Sequence, residues 1–363
     1  MRILHIANHI QKIGNGIVNV AMDLACLQAK DGHKVGVASL GGEYEALLEH
    51  YGIHHFFIDQ SRTPRKLIQA IKRYQAIIEE FQPDIVHAHM MTGVILAKLL
   101  KGRQKYALVS TVHNEFQRSA IFMGLADRVI AVSNAVAQSM MQRGIPSVKL
   151  RVVRNGTLGS PRTRPLEDYT PMLLQHPAIA TVAGMFRRKG IAELIEAFSQ
   201  IAPEFPTAQL YLIGNGDDRA LFEAQARQTV VSERIHFEGF QPEPQRYLLS
   251  TDIFVLASHK EPFGLVIPEA REAGCAIIAS NVDGIPEALD GGKAGLLIPP
   301  RSSAALAEAL KQLLRDAALL NDWKHQAHQN LDWLSVKRVN QETLMIYREL
   351  KPSRNSDALV MLS

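Results

Sequence analysis

Short runs rich in valine, isoleucine, leucine and alanine recur along this chain, with helix-patterned segments between them. In the first half the runs are 2–7, 34–40, 53–58, 84–89, 107–113, 127–132 and 149–153, and the helical patterns cover 17–30, 65–81 and 134–143. The runs are nearly continuous in apolar residues instead of alternating with polar ones. Strands read that way when both faces of their sheet are covered, as in parallel sheets. Alternation of such strands with helices predicts a doubly wound α/β fold. The second half repeats the plan, with runs at 178–184, 209–214, 234–237, 252–257, 276–280 and 295–298 and helical patterns at 191–201, 217–228, 265–273 and 303–314. Between the halves, Ser160-Pro161-Arg162-Thr163-Arg164-Pro165 breaks any helix or central strand.

The expected organisation is a Rossmann-like domain over 1–160, a linker over 161–177 and a second Rossmann-like domain over 178–332. A helix over 333–351 is expected to pack back towards the first domain, and 352–363 reads as a frayed tail. Sheets of this kind bind ligands at the carboxyl ends of their strands, so the expected site is a central cleft between two facing domains.

Composition narrows the class. The chain has 363 residues, too many for one ordinary domain, with 47% apolar and 21% charged residues, the mix of a globular protein. Cys26 and Cys275 stand far apart without metal-spaced partners, which argues against a disulfide scaffold and a zinc module. The chain opens Met1-Arg2-Ile3-Leu4-His5 and reads at once as a strand, so no signal peptide is expected. No uninterrupted apolar stretch is long enough to span a bilayer. A cytoplasmic location is expected, with the inner face of a membrane as a second possibility. Residues 1–160 carry 19 Lys and Arg against 11 Asp and Glu, whereas 161–363 carry 21 against 25. The basic first half points to an anionic partner such as a membrane surface or lipid phosphate, or to scatter in a basic protein. The helix pattern 65–81 has a stripe of Leu67, Ile71, Tyr74, Ile78 and Phe81 with Arg65, Lys66, Lys72 and Arg73 beside it. It reads as a core-facing helix with a solvated side, or as a membrane-surface helix. Cations and aromatics do not interleave, so no nucleic acid is expected.

The stretch His259-Lys260-Glu261-Pro262-Phe263-Gly264-Leu265-Val266-Ile267-Pro268-Glu269-Ala270 follows a strand and opens a helix. Pro268 belongs to a first turn, so the amides of 263–267 are expected to lack intrahelical partners and to form an anion site. Glu261 and Glu269 would repel phosphate, but they suit the hydroxyls of a sugar and a ribose beside it. Gly184-Met185-Phe186-Arg187-Arg188-Lys189-Gly190 sets three cations at a strand's carboxyl end, enough to neutralise a diphosphate. Gly14-Asn15-Gly16 begins like a dinucleotide fingerprint but has Asn19 where the third glycine belongs, and no acidic residue ends the second strand. Gly214-Asn215-Gly216 reads as a turn. His113 ends its strand and points to the cleft. His87 and His89 share a strand face, and His54-His55 are adjacent; none is expected to bind a metal. No D-x-D sequence is present to hold a metal on phosphates.

Taken together, these residues resemble the retaining glycosyltransferases of family 4, also called glycosyl transferases group 1, which have the GT-B fold. The resemblance covers about residues 2–350. It rests on Glu261 and Glu269 in E-P-F-G-L-V-I-P-E-A, with Arg188-Lys189-Gly190, Asn155-Gly156, Asp84-Ile85-Val86-His87-Ala88-His89, Gly284-Ile285-Pro286-Glu287 and Gly295-Leu296-Leu297-Ile298-Pro299-Pro300 in support. It implies a metal-independent, cofactor-free enzyme (a hexosyltransferase-type transferase) that uses a UDP- or GDP-sugar. The acceptor would be a sugar, a lipid-linked sugar or a polysaccharide, in polysaccharide or glycolipid synthesis. Glu269 would hold the ribose, Glu261 would face the transferred sugar, and the backbone of Phe263, Gly264, Leu265 and Val266 would meet sugar and phosphate. Lys189 with Arg187 or Arg188 would grip the diphosphate, Gly16 would let the first domain close on the donor, and His113 would contact the sugar near the reacting carbon. Glu261, His113 and Lys189 are the expected catalytic residues. The chain departs from the family where Met185 replaces the usual arginine, where the cation loop is a residue short, and where Asn15-Gly16 replaces paired glycines. A hydrolysing epimerase of a sugar nucleotide and a non-catalytic sugar-nucleotide sensor are the alternatives.

Overall fold

The computed structural model describes residues 1–61 and 63–350 and divides the chain into two α/β units. The expected tail, 352–363, lies outside the described residues. The first unit comprises 1–155, 159–163 and the chain from 336; the second comprises 156–158 and 164–335.

In the first unit, strands β1 (Arg2–Ile6), β2 (Lys34–Ser39), β3 (His54–Phe57), β4 (Ile85–Ala88), β5 (Ala107–Val112), β6 (Arg128–Ala131) and β7 (Leu150–Val152) form one sheet in the order β3-β2-β1-β4-β5-β6-β7. Every pairing is parallel. Helices α1 (Gly16–Lys30), α2 (Glu45–His50), α3 (Pro64–Phe81), α4 (Met91–Leu99) and α5 (Asn134–Gln142) lie between the strands. Leu4, Ile6, Tyr74, Phe81 and Val94 are buried in the core of one sheet face, and Val18, Met22, Val37 and Leu48 in the core of the other. Two-sided burial is why the strands read as unbroken apolar runs. The buried residues of α3 are Ala70, Tyr74, Ile77, Ile78 and Phe81, whereas Leu67, expected in that stripe, is exposed.

The second unit uses the same plan. Strands β8 (Ala178–Val182), β9 (Gln209–Ile213), β10 (Ile235–Gly239), β11 (Ile253–Leu256), β12 (Ala276–Ser280) and β13 (Leu296–Ile298) form a parallel sheet ordered β10-β9-β8-β11-β12-β13. Its helices are α6 (Ile191–Ile201), α7 (Arg219–Arg227), α8 (Gln245–Leu248), α9 (Val266–Glu272), α10 (Ile285–Ala288), α11 (Ser303–Arg315) and α12 (Ala317–Ala327). In each sheet the order reverses once, between β1 and β4 and between β8 and β11. Those reversals are where connections run off in opposite directions and leave the strand ends uncovered.

The last helix, α13 (Val336–Leu350), belongs to the first unit, where it packs on α1 and β5. Val336, Val339, Asn340, Thr343, Leu344 and Tyr347 make its buried stripe at helical spacing. The expected linker, 161–177, is not free chain. Arg162 lies buried against Asp23, with hydrogen bonds of 2.8 and 3.0 Å, and Ser160 Oγ donates to the same carboxylate at 2.6 Å. From Arg164 on, the segment lies along the second unit: the Met172 amide donates to Arg246 O at 2.8 Å, and Met172 and Leu174 pack on Ala178, Ala180 and Tyr211. Among the described residues, no helix is long and apolar enough to cross a membrane.

Candidate active site

In the second unit, residues 183–190 follow β8 and residues 257–265 follow β11. These strands are neighbours at the sheet's reversal, so two segments far apart in sequence emerge side by side. Lys189 Nζ forms a salt bridge with Glu261 Oε2, and both side chains are largely buried. Ser258 Oγ donates to the same oxygen at 3.3 Å. The two segments are also joined through the backbone, since the His259 amide donates to Arg188 O at 2.8 Å. His259 Nε2 meets Glu193 Oε1 of α6 at 2.7 Å. The cation loop turns at Gly190, where φ is +68° and a Cβ would lie 1.9 Å from Ala257 O, so only glycine lets the loop close on the end of β11.

The loop sends its cations different ways. Arg187 is exposed; its amide donates to Asp218 Oδ2 at 2.9 Å, and its guanidinium lies 3.7 Å from Asp218 Oδ1. The Arg188 guanidinium lies 5.7 Å from the centre of the Phe186 ring. Met185 is fully buried in the core, so an apolar side chain fills the position at which the family has arginine. The turn expected at Gly214-Asn215-Gly216 braces this loop: the Met185 amide donates to Asn215 O, and the Asp218 amide donates to Met185 O, each at 3.0 Å.

Glu261 is held by its backbone. Its amide donates to Asp283 Oδ2 at 2.8 Å, and its carbonyl accepts from the Gly284 amide at 3.2 Å. A Cβ on Gly284 would stand 2.0 Å from Pro262 O, which gives Gly284-Ile285-Pro286-Glu287 a steric role. The Phe263 ring is buried edge-on against Trp333, so that residue can offer a ligand only its backbone. Leu265 and Val266 are half-buried, and Leu265 O accepts from Thr157 Oγ1 at 3.3 Å. The anion site expected on the amides of 263–267 is smaller than that, because the Ile267 amide donates to Gly264 O at 2.9 Å. Glu269 stands in the first turn of the seven-residue α9, half-buried.

Gly16 and His113 belong to the first unit. Gly16 opens α1, where Asn15 caps the helix by accepting from the Ile17 amide at 3.0 Å. His113 follows β5 and ends a row of hydrogen-bonded imidazoles. His5 on β1 and His87 on β4 stand opposite each other in register. His5 Nε2 contacts Gln28 Oε1 of α1 at 2.8 Å, His5 Nδ1 contacts His89 Nε2 at 2.9 Å, and His89 Nδ1 contacts His113 Nε2 at 3.1 Å. His87 contacts Tyr347 Oη of α13 at 2.5 Å and Thr111 Oγ1 at 2.7 Å. Burial holds His5 down to about 4, against a Gln28 hydrogen bond that raises it, and holds His113 down to about 3. Burial first, and neighbouring imidazoles second, hold His87 and His89 well below the usual histidine value. All four are therefore neutral at pH 7.

His5, His87 and His89 also bring a ring nitrogen each within 4.8 Å of one another, a spacing that suits a metal ion. All six of their ring nitrogens already have hydrogen-bond partners. An ion would have to displace those bonds in a fully buried site, so the donor set does not read as an open metal site. Sequence reasoning singled out His87, His89 and His113 but missed His5 and Gln28, whose parts follow from pairing between β1 and β4 and from the covering helix. It also missed Asp218 and Asp283, which act through backbone amides and carry no motif.

Two family models match the chain, Glycosyltransferase Family 4 over residues 14–157 and Glycosyl transferases group 1 over residues 174–330. The glycogen synthase of Mycobacterium tuberculosis is 28% identical over 288 residues, which cover 70% of this chain and 67% of that protein. The N-acetyl-alpha-D-glucosaminyl L-malate synthase of Bacillus anthracis is 26% identical over 295 residues, covering 75% and 76%. Among solved structures, Anabaena HepE in complex with UDP and glucose has a TM-score of 0.81 at 19% identity, covering 95% of this chain and 99% of that one. Each half of the chain thus matches its own glycosyltransferase model and the whole shares a GT-B fold: the chain belongs to the family 4 glycosyltransferases.

Proposed function

We propose that this glycosyltransferase moves a sugar from a UDP- or GDP-sugar to an acceptor hydroxyl with retention at the anomeric carbon, without a metal or other cofactor. The observation that carries this reading is the meeting of Lys189 and Glu261 at the reversal of the second sheet. A cation that lies beside a carboxylate at strand ends can pass its charge to a diphosphate while the carboxylate turns to hydroxyls. Breaking the anomeric bond leaves an oxocarbenium-like sugar and builds negative charge on the departing diphosphate. Lys189, with Arg187 or Arg188 and the amides of 263–266, stabilises that charge, each cation contact contributing on the order of 2–4 kcal/mol at the transition state. Glu269 binds the ribose, Gly16 lets the first unit approach the donor, and His113 contacts the transferred sugar. The acceptor attacks the face the diphosphate leaves, and the diphosphate takes its proton.

The two relatives named above make a polysaccharide and a malate glycoside, so their acceptors differ. The excess of cations in the first 160 residues supports an anionic acceptor, a lipid phosphate in polysaccharide or glycolipid synthesis, and contact with a membrane surface. A thermal-shift panel of UDP- and GDP-sugars tests the donor: the right one at about 100 times its dissociation constant adds about 2.7 kcal/mol of stability. NMR of the product anomer then tests retention. A panel without any stabilising sugar nucleotide, or an inverted product, overturns the reading. A changed sugar released from donor alone points to the epimerase instead.

A further inference from the structure

The imidazole row in the first unit has a direction. A neutral imidazole has one N–H and one bare nitrogen, so in a row of them the choice made at one end passes to the other. Gln28 is fully buried, and its carbonyl Oε1, which only accepts, faces His5 Nε2. His5 must then donate from Nε2 and keep Nδ1 bare. That bare nitrogen accepts from His89 Nε2–H, which leaves His89 Nδ1 bare, and this in turn accepts from His113 Nε2–H. The nitrogen left over is His113 Nδ1, which has no partner among the described residues. His113 is also the member solvent reaches, 9% exposed against 0–2% for His5 and His89. The amide orientation that sets all this leaves Gln28 Nε2 on the side of the Tyr347 hydroxyl, though at no hydrogen-bonding geometry. Turning the amide over would put its N–H on His5 and reverse every bond in the row.

We propose that Gln28, His5 and His89 are positioning residues that lock His113 in its Nε2–H tautomer, so that it meets the substrate with a bare Nδ1. This rests on the reading that His113 touches the transferred sugar. A bare ring nitrogen accepts a hydrogen bond and offers nothing to phosphate oxygens, which only accept. The row therefore selects a hydroxyl of the sugar as the partner of His113 and excludes the diphosphate, whereas a protonated histidine would bind the diphosphate.

The whole protein, labelled with 15N-histidine, tests this through two-bond 1H–15N spectra at pH 7, with His113 assigned by loss of its signals in His113→Asn. The expected spectrum has protonated Nε2 and bare Nδ1 at His113; the opposite tautomer overturns the proposal, and this wild-type measurement stands even where Gln28→Leu does not fold. Gln28→Leu removes the fixed acceptor. It is expected to give mixed tautomers at His113 and to lower turnover about tenfold, the worth of one uncharged hydrogen bond. An unaltered tautomer in Gln28→Leu overturns the part given to Gln28. Mixed tautomers with unchanged turnover leave the row's direction standing and overturn the contact between His113 and the sugar.

Discussion

At the reversal point of its sheet, the second unit gathers full charges: Lys189 on Glu261 and Arg187 near Asp218. At the matching reversal in the first unit stand four buried histidines, all neutral: His5, His89 and His113 hydrogen-bonded in a row that starts at Gln28, and His87 bonded to Thr111 and Tyr347. The same topology therefore carries two kinds of chemistry. Ionic groups suit a ligand whose charge changes during reaction, because the field they supply is strong and fixed. Neutral imidazoles suit hydroxyls, because they add directional hydrogen bonds without attracting phosphate. The difference arises from what covers the strand ends. In the first unit α1 and α13 bury the histidines and remove their charge, whereas in the second the cation loop and the 257–265 segment stay partly open.

Lys189→Ala is the strongest test of the ionic half. Turnover at saturating donor is expected to fall on the order of a hundredfold, matching about 3 kcal/mol lost at the transition state. Initial rates measured alongside a melting curve separate this from unfolding, since the variant also leaves Glu261 without its cation. Turnover within threefold of wild type would take Lys189 out of the reaction and leave the second unit's charges with a structural part only.

The neutral half should show itself in acid. His5 is held at about 4, below its ordinary 6.5. A histidine with a depressed value is protonated more readily unfolded than folded, so its contribution is complete above pH 6.5 and drains away as pH falls towards 4. For His5 alone the loss reaches about 3 kcal/mol at the acid end. Melting temperatures between pH 7 and 4 are expected to drop more steeply in wild type than in His5→Leu. Equal slopes would show that the acid sensitivity lies outside His5.

These two halves were not equally legible in the sequence. The alternating runs disclosed both sheets, because strands buried on two faces leave no polar positions to confuse the pattern, and the edge strands β3 and β7 differ from expectation only by a residue or two at each end. Helix α4 escaped notice, since Met91–Leu99 is apolar nearly all round and shows no stripe. Lys189, Glu261 and Glu269 could be read from one short segment each, as motif residues at strand ends. Gln28 could not, because nothing near it in sequence hints that α1 lays it on β1. Asp283 was hidden for a different reason: it uses an ordinary carboxylate on a backbone amide, from a residue with a φ of +44° in a turn whose neighbours Gly284 and Pro286 drew the attention.

Asp283 tests whether the ionic half depends on that support. Asp283→Ala removes the acceptor from the Glu261 amide, so turnover should fall about thirtyfold, as for one hydrogen bond to a charged group. Donor affinity, measured by titration calorimetry, should change less than turnover if Glu261 faces the sugar and not the nucleotide, as proposed. A loss confined to affinity would move Glu261 away from the reacting carbon.

Arg187 should matter least among the cations. Its side chain is 75% exposed and already lies near Asp218, and an exposed ion is screened by water and salt. Arg187→Ala is expected to change donor affinity by less than about threefold, the scale of an exposed pair. Arg188, less exposed and beside Phe186, is expected to cost more. A tenfold loss in Arg187→Ala would mean that Arg187 leaves Asp218 when donor binds. Asp218→Asn would then tighten binding, because the carboxylate would no longer compete with the diphosphate for the same guanidinium.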